Sequence, residues 1–192
     1  VVMEVSSHSL ELRRVEGVTF DVAVFTNLTQ DHMDFHLTFE NYLSAKKKLF
    51  YHAKSAAVNA DDAAAGRIME GVEGIEWLTY GIKEPADVYA RNIEITPRGV
   101  TYDMCSRQGM LPLGLKIPGI FSVYNSLSAA GACMLLGVGP EIIKTGLEAM
   151  PSVAGRFEVL DTGNRPFTII LDYAHTPDSL ENTLLTVREF AR

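Results

Sequence analysis

Apolar and polar positions fall in blocks along the chain, and the period changes from block to block. Continuous apolar runs at Val1–Val5 and Asp21–Thr26 read as strands buried on both faces of a parallel sheet. From Thr38, an N-cap, the residues Phe39, Tyr42, Leu43, Leu49 and Phe50 recur at helical spacing and predict a helix over 38–52. A strand near 56–59, an alanine-rich helix around 61–69 and a strand over 75–80 follow. This alternation predicts an α/β fold with a doubly wound, mostly parallel sheet. After Gly81 the character changes. Residues 88–96, 99–106 and 113–117 read as short strands turning at Pro97-Arg98-Gly99, a small antiparallel section. Helices over 121–136 and 140–150 come next, the second with Pro140 near its start. Pro151 to Gly155 breaks the pattern, dividing a domain 1–153 from the start of a further α/β domain, 154–192, with strands at 157–160 and 167–171 and a helix over 177–191. A chain that opens on a core strand and stops on a helical pattern is expected to be an internal piece of a longer protein.

Composition narrows the function classes. Hydrophobic residues make up 47% and charged residues 21%, enough apolar surface for a core in a globular protein. The formal net charge of −7 argues against a nucleic-acid surface. Lys46 to Lys48 is the only dense basic run, and it sits on a helix. Cys105 and Cys133 fall in element interiors and read as buried thiols in a reducing compartment. No apolar stretch is long enough to span a membrane, and no signal peptide is visible, so the cytoplasm is expected.

The chemistry-bearing residues gather where strands end. On the helix from Thr38, positions 39, 43, 46 and 50 form one stripe, which puts Lys46 on the apolar face and turns Lys47 and Lys48 toward water. Burial disfavours an ammonium and leaves more neutral amine, able to act as a nucleophile or to take up carbon dioxide as a carbamate. A snorkelling lysine, its stem on apolar surface and its head in solvent, is the other reading, and the helix alone favours it. Glu4 ends an apolar run directly before Ser6-Ser7-His8, where a carboxylate would be paired or would hold magnesium. Asp31, His32, Asp34 and His36 follow the second strand in the same position, suiting zinc or magnesium, or a solvated capping loop. Asp172 closes a strand before Thr176 and Pro177 open a helix, where it could meet a ribose hydroxyl or a metal, or simply cap the turn. Arg156 could offer a guanidinium to a phosphate, and Asn125 an amide to an adenine edge.

Met3-Glu-Val-Ser-Ser-His8 with Arg14, Thr26-Asn-Leu with Asp31-His-Met-Asp-Phe-His36, Asn41-Tyr with Ala45-Lys46, and Leu171-Asp-Tyr-Ala-His-Thr-Pro-Asp178 together resemble the Mur ligases, from end to end. The resemblance implies an ATP-dependent amide-bond ligase of peptidoglycan precursor synthesis. Such an enzyme activates UDP-MurNAc-L-Ala-D-Glu as an acyl phosphate and joins it to a diamino acid, meso-diaminopimelate or L-lysine. It implies Mg2+ held by Glu4, His32 and a carbamylated Lys46, which reverses the snorkelling preference for that lysine. Ser6 and Arg14 would bind the UDP-muramoyl-dipeptide, and Asn125, Arg156 and Asp172 the nucleotide. Leu12 stands where some members carry glutamine, and Ser122 where some carry asparagine. No G-x-x-x-x-G-K-[ST] occurs in the chain, and the resemblance places that phosphate loop upstream of Val1. The isolated piece is therefore expected to be inactive. A folylpolyglutamate- or cyanophycin-synthetase-like ligase and a non-catalytic binding module are the alternatives.

Overall fold

A computed structural model describes residues 1–29, 33–151, 153–163 and 165–189, with backbone alone at Met33, Asp34 and Asp178. In chain order the elements are α1 (Ser7–Glu11), β1 (Phe20–Phe25), α2 (Met33–His36), α3 (Phe39–Lys47) running into a 3-10 turn (Lys48–His52), β2 (Ala53–Asn59), α4 (Ala65–Met69) and β3 (Glu76–Gly81). They continue with β4 (Val88–Thr96), β5 (Gly99–Ser106), β6 (Gly109–Leu115), α5 (Ile120–Leu135), α6 (Pro140–Ala149), β7 (Glu158–Leu160), β8 (Ile169–Leu171) and α7 (Pro177–Arg188). Strands β1 to β6 lie in one sheet in sequence order, and β7 pairs with β8 in a small antiparallel sheet. By internal contacts the chain divides into Val1–Tyr89 with Leu127–Val138, and Ala90–Ser126 with Gly139–Arg192.

In the first unit β1, β2 and β3 pair in parallel, Phe20 opposite Ala53 and Ser55 opposite Glu76, and β3 adds β4 at Tyr80 and Gly81. The side-chain period of two sorts the faces. Ala23, Phe25, Ala56 and Val58 meet Tyr42, Leu43, Phe50 and Ile68 in one core. Val58 and Ile68 are fully buried, each worth about 1.5–3 kcal/mol over an exposed side chain. The alternate face of β2 and β3 lies under α5. A Cβ on Gly131 would come within 2.9 Å of Leu78 and 3.3 Å of Ala57, so the missing side chain lets the helix lie close to the strands. Helices thus cover both faces, as the apolar runs predict.

The first expected strand is absent. Val1 to Glu4 are exposed and residues 1–6 carry no regular structure. A strand is made by a pairing ladder, not by an apolar run, and among the described residues β1 pairs with β2 alone. The helix over 38–52 is split, its last turn tightening to 3-10 geometry before β2. The helix expected around 61–69 begins only at Ala65, because Asp61 and Asp62 are taken up in hydrogen bonds to the backbone of neighbouring loops.

In the second unit β5 and β6 form an antiparallel hairpin, Val100 opposite Leu115 and Ser106 opposite Gly109. Gly99 enters it at φ +145°, with the Leu115 carbonyl oxygen 2.0 Å from where a Cβ would stand. No other residue fits there. Helix α6 packs on β6, and Glu148 Oε1 accepts the Gly114 N–H at 3.1 Å.

Candidate active site

Lys46 lies in the last turn of α3, half-buried, with Nζ 5.4 Å from the centroid of the Tyr42 ring one turn earlier. The apolar stripe that includes Leu43 and Phe50 does carry this lysine partly inward. Its neighbours turn toward the solvent side, as expected, and find partners there. Lys47 donates to the carbonyls of Arg67 (2.9 Å) and Glu70, closing the C-terminal end of α4. Lys48 pairs with Glu11 at 2.6 Å, and that ammonium holds the Glu11 carboxyl below its ordinary range.

Around Tyr42 the polar and aromatic groups stack. The His36 ring lies on Tyr42 at 5.0 Å with 22° between planes. Its Nε2 is 2.9 Å from Ser7 Oγ, and both residues are buried. His8 packs on Phe35 at 4.0 Å, and its centroid is 5.5 Å from that of His36. Ser7 and His8 sit on α1, a helix the apolar pattern does not reveal because it is only five residues long. Ser6 is its exposed N-cap, accepting the Ser9 N–H at 3.1 Å. Arg14 is exposed in the turn that follows, its N–H bonded to the Ser9 carbonyl at 2.8 Å. Glu4 stands exposed three residues before Ser7, so the expectation of a carboxylate buried at a strand end is corrected. Without that strand nothing desolvates the group. Asp31 and His32, and the Asp34 side chain, lie outside the described residues. Among the described residues no group of three or more His, Cys, Asp or Glu forms a preassembled metal cage. Of the three expected ligands, the exposed Glu4 carboxylate is the one described group that presents oxygen, the donor magnesium prefers.

Residues missed by the sequence reading hold the loop after β1. Asn59 donates to the Thr26 carbonyl at 2.8 Å, and Asp62 accepts the Leu28 N–H at 3.0 Å and the Ala64 N–H at 2.8 Å. Asp61 accepts the N–H groups of Ile82, Lys83 and Glu84 after β3. The signal was Asn59-Ala-Asp-Asp62 at a strand end, since such residues bond to nearby backbone.

In the second unit Asp172 follows β8, half-buried, and both of its oxygens are engaged. Oδ2 accepts the Phe157 N–H at 2.6 Å and Oδ1 the Ala174 N–H at 2.7 Å. It fixes Phe157, which adopts φ +44°, and still has acceptor capacity to spare. Arg156 is exposed, its guanidinium 4.9 Å from the Tyr173 ring centroid. Tyr173 meets His175 edge-on at 4.8 Å. Thr176 and Ser179 form a capping box that opens α7, as the sequence predicts for Thr176. Asn125 is exposed on α5.

A parallel α/β unit with an inward lysine, followed by a strand-to-helix junction at Asp172, matches one class along the whole chain. Residues 1–133 fit the Mur ligase middle domain and residues 155–192 the Mur ligase glutamate ligase domain, so the chain belongs to the Mur ligase family. It is 47% identical over 192 residues to the UDP-N-acetylmuramoyl-L-alanyl-D-glutamate--2,6-diaminopimelate ligase of Clostridium botulinum, covering all of this chain and 40% of that protein. The enzyme of the same name from Geobacillus thermodenitrificans is 46% identical over 201 residues, 41% of its length. A solved structure of a ligase so named superposes with a TM-score of 0.85 at 31% identity, covering 98% of this chain and 40% of the other. The chain thus spans about two fifths of the relatives it matches. No helix among the described residues is long and apolar enough to cross a membrane.

Proposed function

We propose that the whole protein is an ATP-dependent ligase that adds 2,6-diaminopimelate to UDP-MurNAc-L-Ala-D-Glu, in the cytoplasm, for peptidoglycan precursor synthesis. The observation that carries this is identity of 46–47% across the full chain to relatives bearing that activity in their names. The domain division at 153/154 is part of the same reading, supported by the break at Pro151 and by family matches that end at 133 and resume at 155. The formal net charge of −7 suits small-molecule substrates better than a nucleic-acid surface.

The chemical problem is to bring two anions, a carboxylate and a triphosphate, into line. The reading gives Glu4, His32 and Lys46 the metal, Ser6 and Arg14 the UDP-muramoyl-dipeptide, and Asn125, Arg156 and Asp172 the nucleotide. Lys46 serves by adding its neutral amine to carbon dioxide; the N–C bond forms, a proton leaves, and the cation becomes an anionic oxygen donor. Magnesium bound there would neutralise phosphate and carboxylate charge. Arg156, already stacked on Tyr173, offers a planar fork suited to phosphate oxygens. The substrate carboxylate attacks the γ-phosphorus of ATP, ADP leaves, and the diamino acid amine then displaces phosphate from the acyl phosphate.

The test is phosphate release by the full-length protein with ATP and UDP-MurNAc-L-Ala-D-Glu, with either meso-diaminopimelate or L-lysine as acceptor. Diaminopimelate is expected to support turnover and lysine not. Lys46→Ala is expected to lower kcat by about 100- to 1,000-fold, the scale of losing one preorganised charge-stabilising group. Bicarbonate or a small carboxylate should restore part of it. Full activity in Lys46→Ala would end the carbamate reading, and turnover only with a non-muramyl acceptor would end the substrate assignment.

A further inference from the structure

His36 is held on several sides at once. Its ring is held by the Ser7 hydroxyl on one edge and by the Tyr42 face. Its carbonyl accepts both the Thr38 N–H at 2.7 Å and the Asn41 side-chain amide at 2.9 Å. The next residue, Leu37, is exposed and sits at φ +64°, a left-handed conformation that a leucine adopts only when its neighbours impose it. A solvated loop would relax that strain by about 1 kcal/mol or more. Here the two bonds to the His36 carbonyl close the turn between α2 and α3, and the His36 ring faces Tyr42.

Ser7 lies 29 residues before His36, and Tyr42 lies beneath the Lys46 amine. The column Ser7–His36–Tyr42 therefore ties the segment carrying Glu4 and Ser6 to the helix carrying Lys46. Every member is buried, with Ser7 at 2%, His36 at 4% and Tyr42 at 4% exposure. A stacked imidazole and a flat phenol face give Lys46 a floor, and the serine hydroxyl fixes the rotation of the imidazole. We propose that Ser7, His36 and Tyr42 are positioning residues, a brace that sets where the Lys46 head group stands relative to the Glu4–Ser6 segment. The inference rests on the ligase reading above, in which that head group holds a divalent cation.

The experiment is Mn2+ binding to the full-length protein followed by electron paramagnetic resonance, which needs no turnover. It is paired with 13C-bicarbonate NMR for the carbamate and with thermal melts for folding. Outer partners of metal ligands typically contribute about 10- to 100-fold to metal affinity. Ser7→Ala and Tyr42→Leu are therefore expected to weaken Mn2+ binding at least about tenfold. Ser7→Thr, which keeps the hydroxyl, and Tyr42→Phe, which keeps the ring, should recover most of that loss. In kinetics the requirement for Mg2+ should rise in the disruptive variants while KM for the diamino acid stays put. Folded Ser7→Ala and Tyr42→Leu variants that bind Mn2+ like the unaltered protein, while Lys46→Ala does not, would overturn the brace and leave the ligase reading standing. Unchanged Mn2+ binding in Lys46→Ala would overturn the carbamate reading and the brace with it, and would leave the ligase assignment standing. Should Tyr42→Leu fail to fold, Ser7→Ala against Ser7→Thr decides the matter.

Discussion

Removing the Asp62 carboxylate should unfasten the loop after β1. Asp62 gives one oxygen to the Leu28 N–H at 3.0 Å and the other to the Ala64 N–H at 2.8 Å. Leu28 belongs to the main core at 8% exposure, so its amide has little water to turn to. A hydrogen bond to a charged acceptor contributes about 1.5–3 kcal/mol, and both bonds here are only partly buried, so Asp62→Ala is expected to cost about 2–4 kcal/mol. Asp62→Asn keeps one acceptor and turns an N–H toward the other amide, so it should recover no more than about half. Trp77, the only tryptophan, stacks on Phe50 at 5.5 Å inside the same unit, and its fluorescence reports urea unfolding there. Amide exchange separates anchoring from general loss of stability. The Leu28 amide should speed up beyond the change in global stability, whereas that of Ile68, fully buried, should follow the global value. A loss under about 1 kcal/mol, or exchange at Leu28 no faster than the global change, would refute the anchor.

Gly99→Ala should cost about 3 kcal/mol or more by far-UV dichroism melts, since it adds left-handed strain at φ +145° to a 2.0 Å contact with the Leu115 carbonyl. A change within about 0.5 kcal/mol would contradict the hairpin geometry. Alkaline stability should fall as Tyr102 ionises. Burial pushes its hydroxyl, 2.7 Å from Ser126, up from an ordinary value near 10 to about 12. The raised native value means its contribution is complete below pH 10 and is lost as pH rises toward 12, by up to about 3 kcal/mol. Tyr102→Phe should flatten that limb in equilibrium denaturation between those values, and an unaltered limb would refute the assignment.

Elements long enough to show a period were legible in the sequence. Thr38 and Thr176 cap helices where side-chain chemistry says they should, and β3 to β8 fall within a few residues of their apolar blocks. Apolar content misled at Val1–Val5, because burial depends on a partner that composition does not name. The sequence pattern puts Asp61 and Asp62 at the opening of a helix, yet their oxygens bond loops 21 and 34 residues away along the chain. Helix α1 is too short to carry a periodic signal at all.

The sequence offers the candidate site as a set of residue types and says nothing of their arrangement. Helical spacing placed Lys46 on the inward stripe of α3, but spacing cannot say what lies opposite. That decides the chemistry, because an amine over a tyrosine face differs from one in solvent, and the Tyr42 ring is fixed in turn by His36 and Ser7. The Ser7–His36 contact spans 29 residues and joins two short helices with no apolar pattern of their own. The resemblance singles out Ser6 for the UDP-dipeptide and gives Ser7 no task, whereas burial shows what Ser7 does. Ser6 is exposed and its hydroxyl caps the helix through Ser9, while Ser7 turns inward and holds an imidazole. Under the proposed function the two adjacent serines would divide two tasks by the side of the helix they face, and a substitution at either should fail in its own way: Ser6→Ala in affinity for the UDP-dipeptide, Ser7→Ala in affinity for the metal.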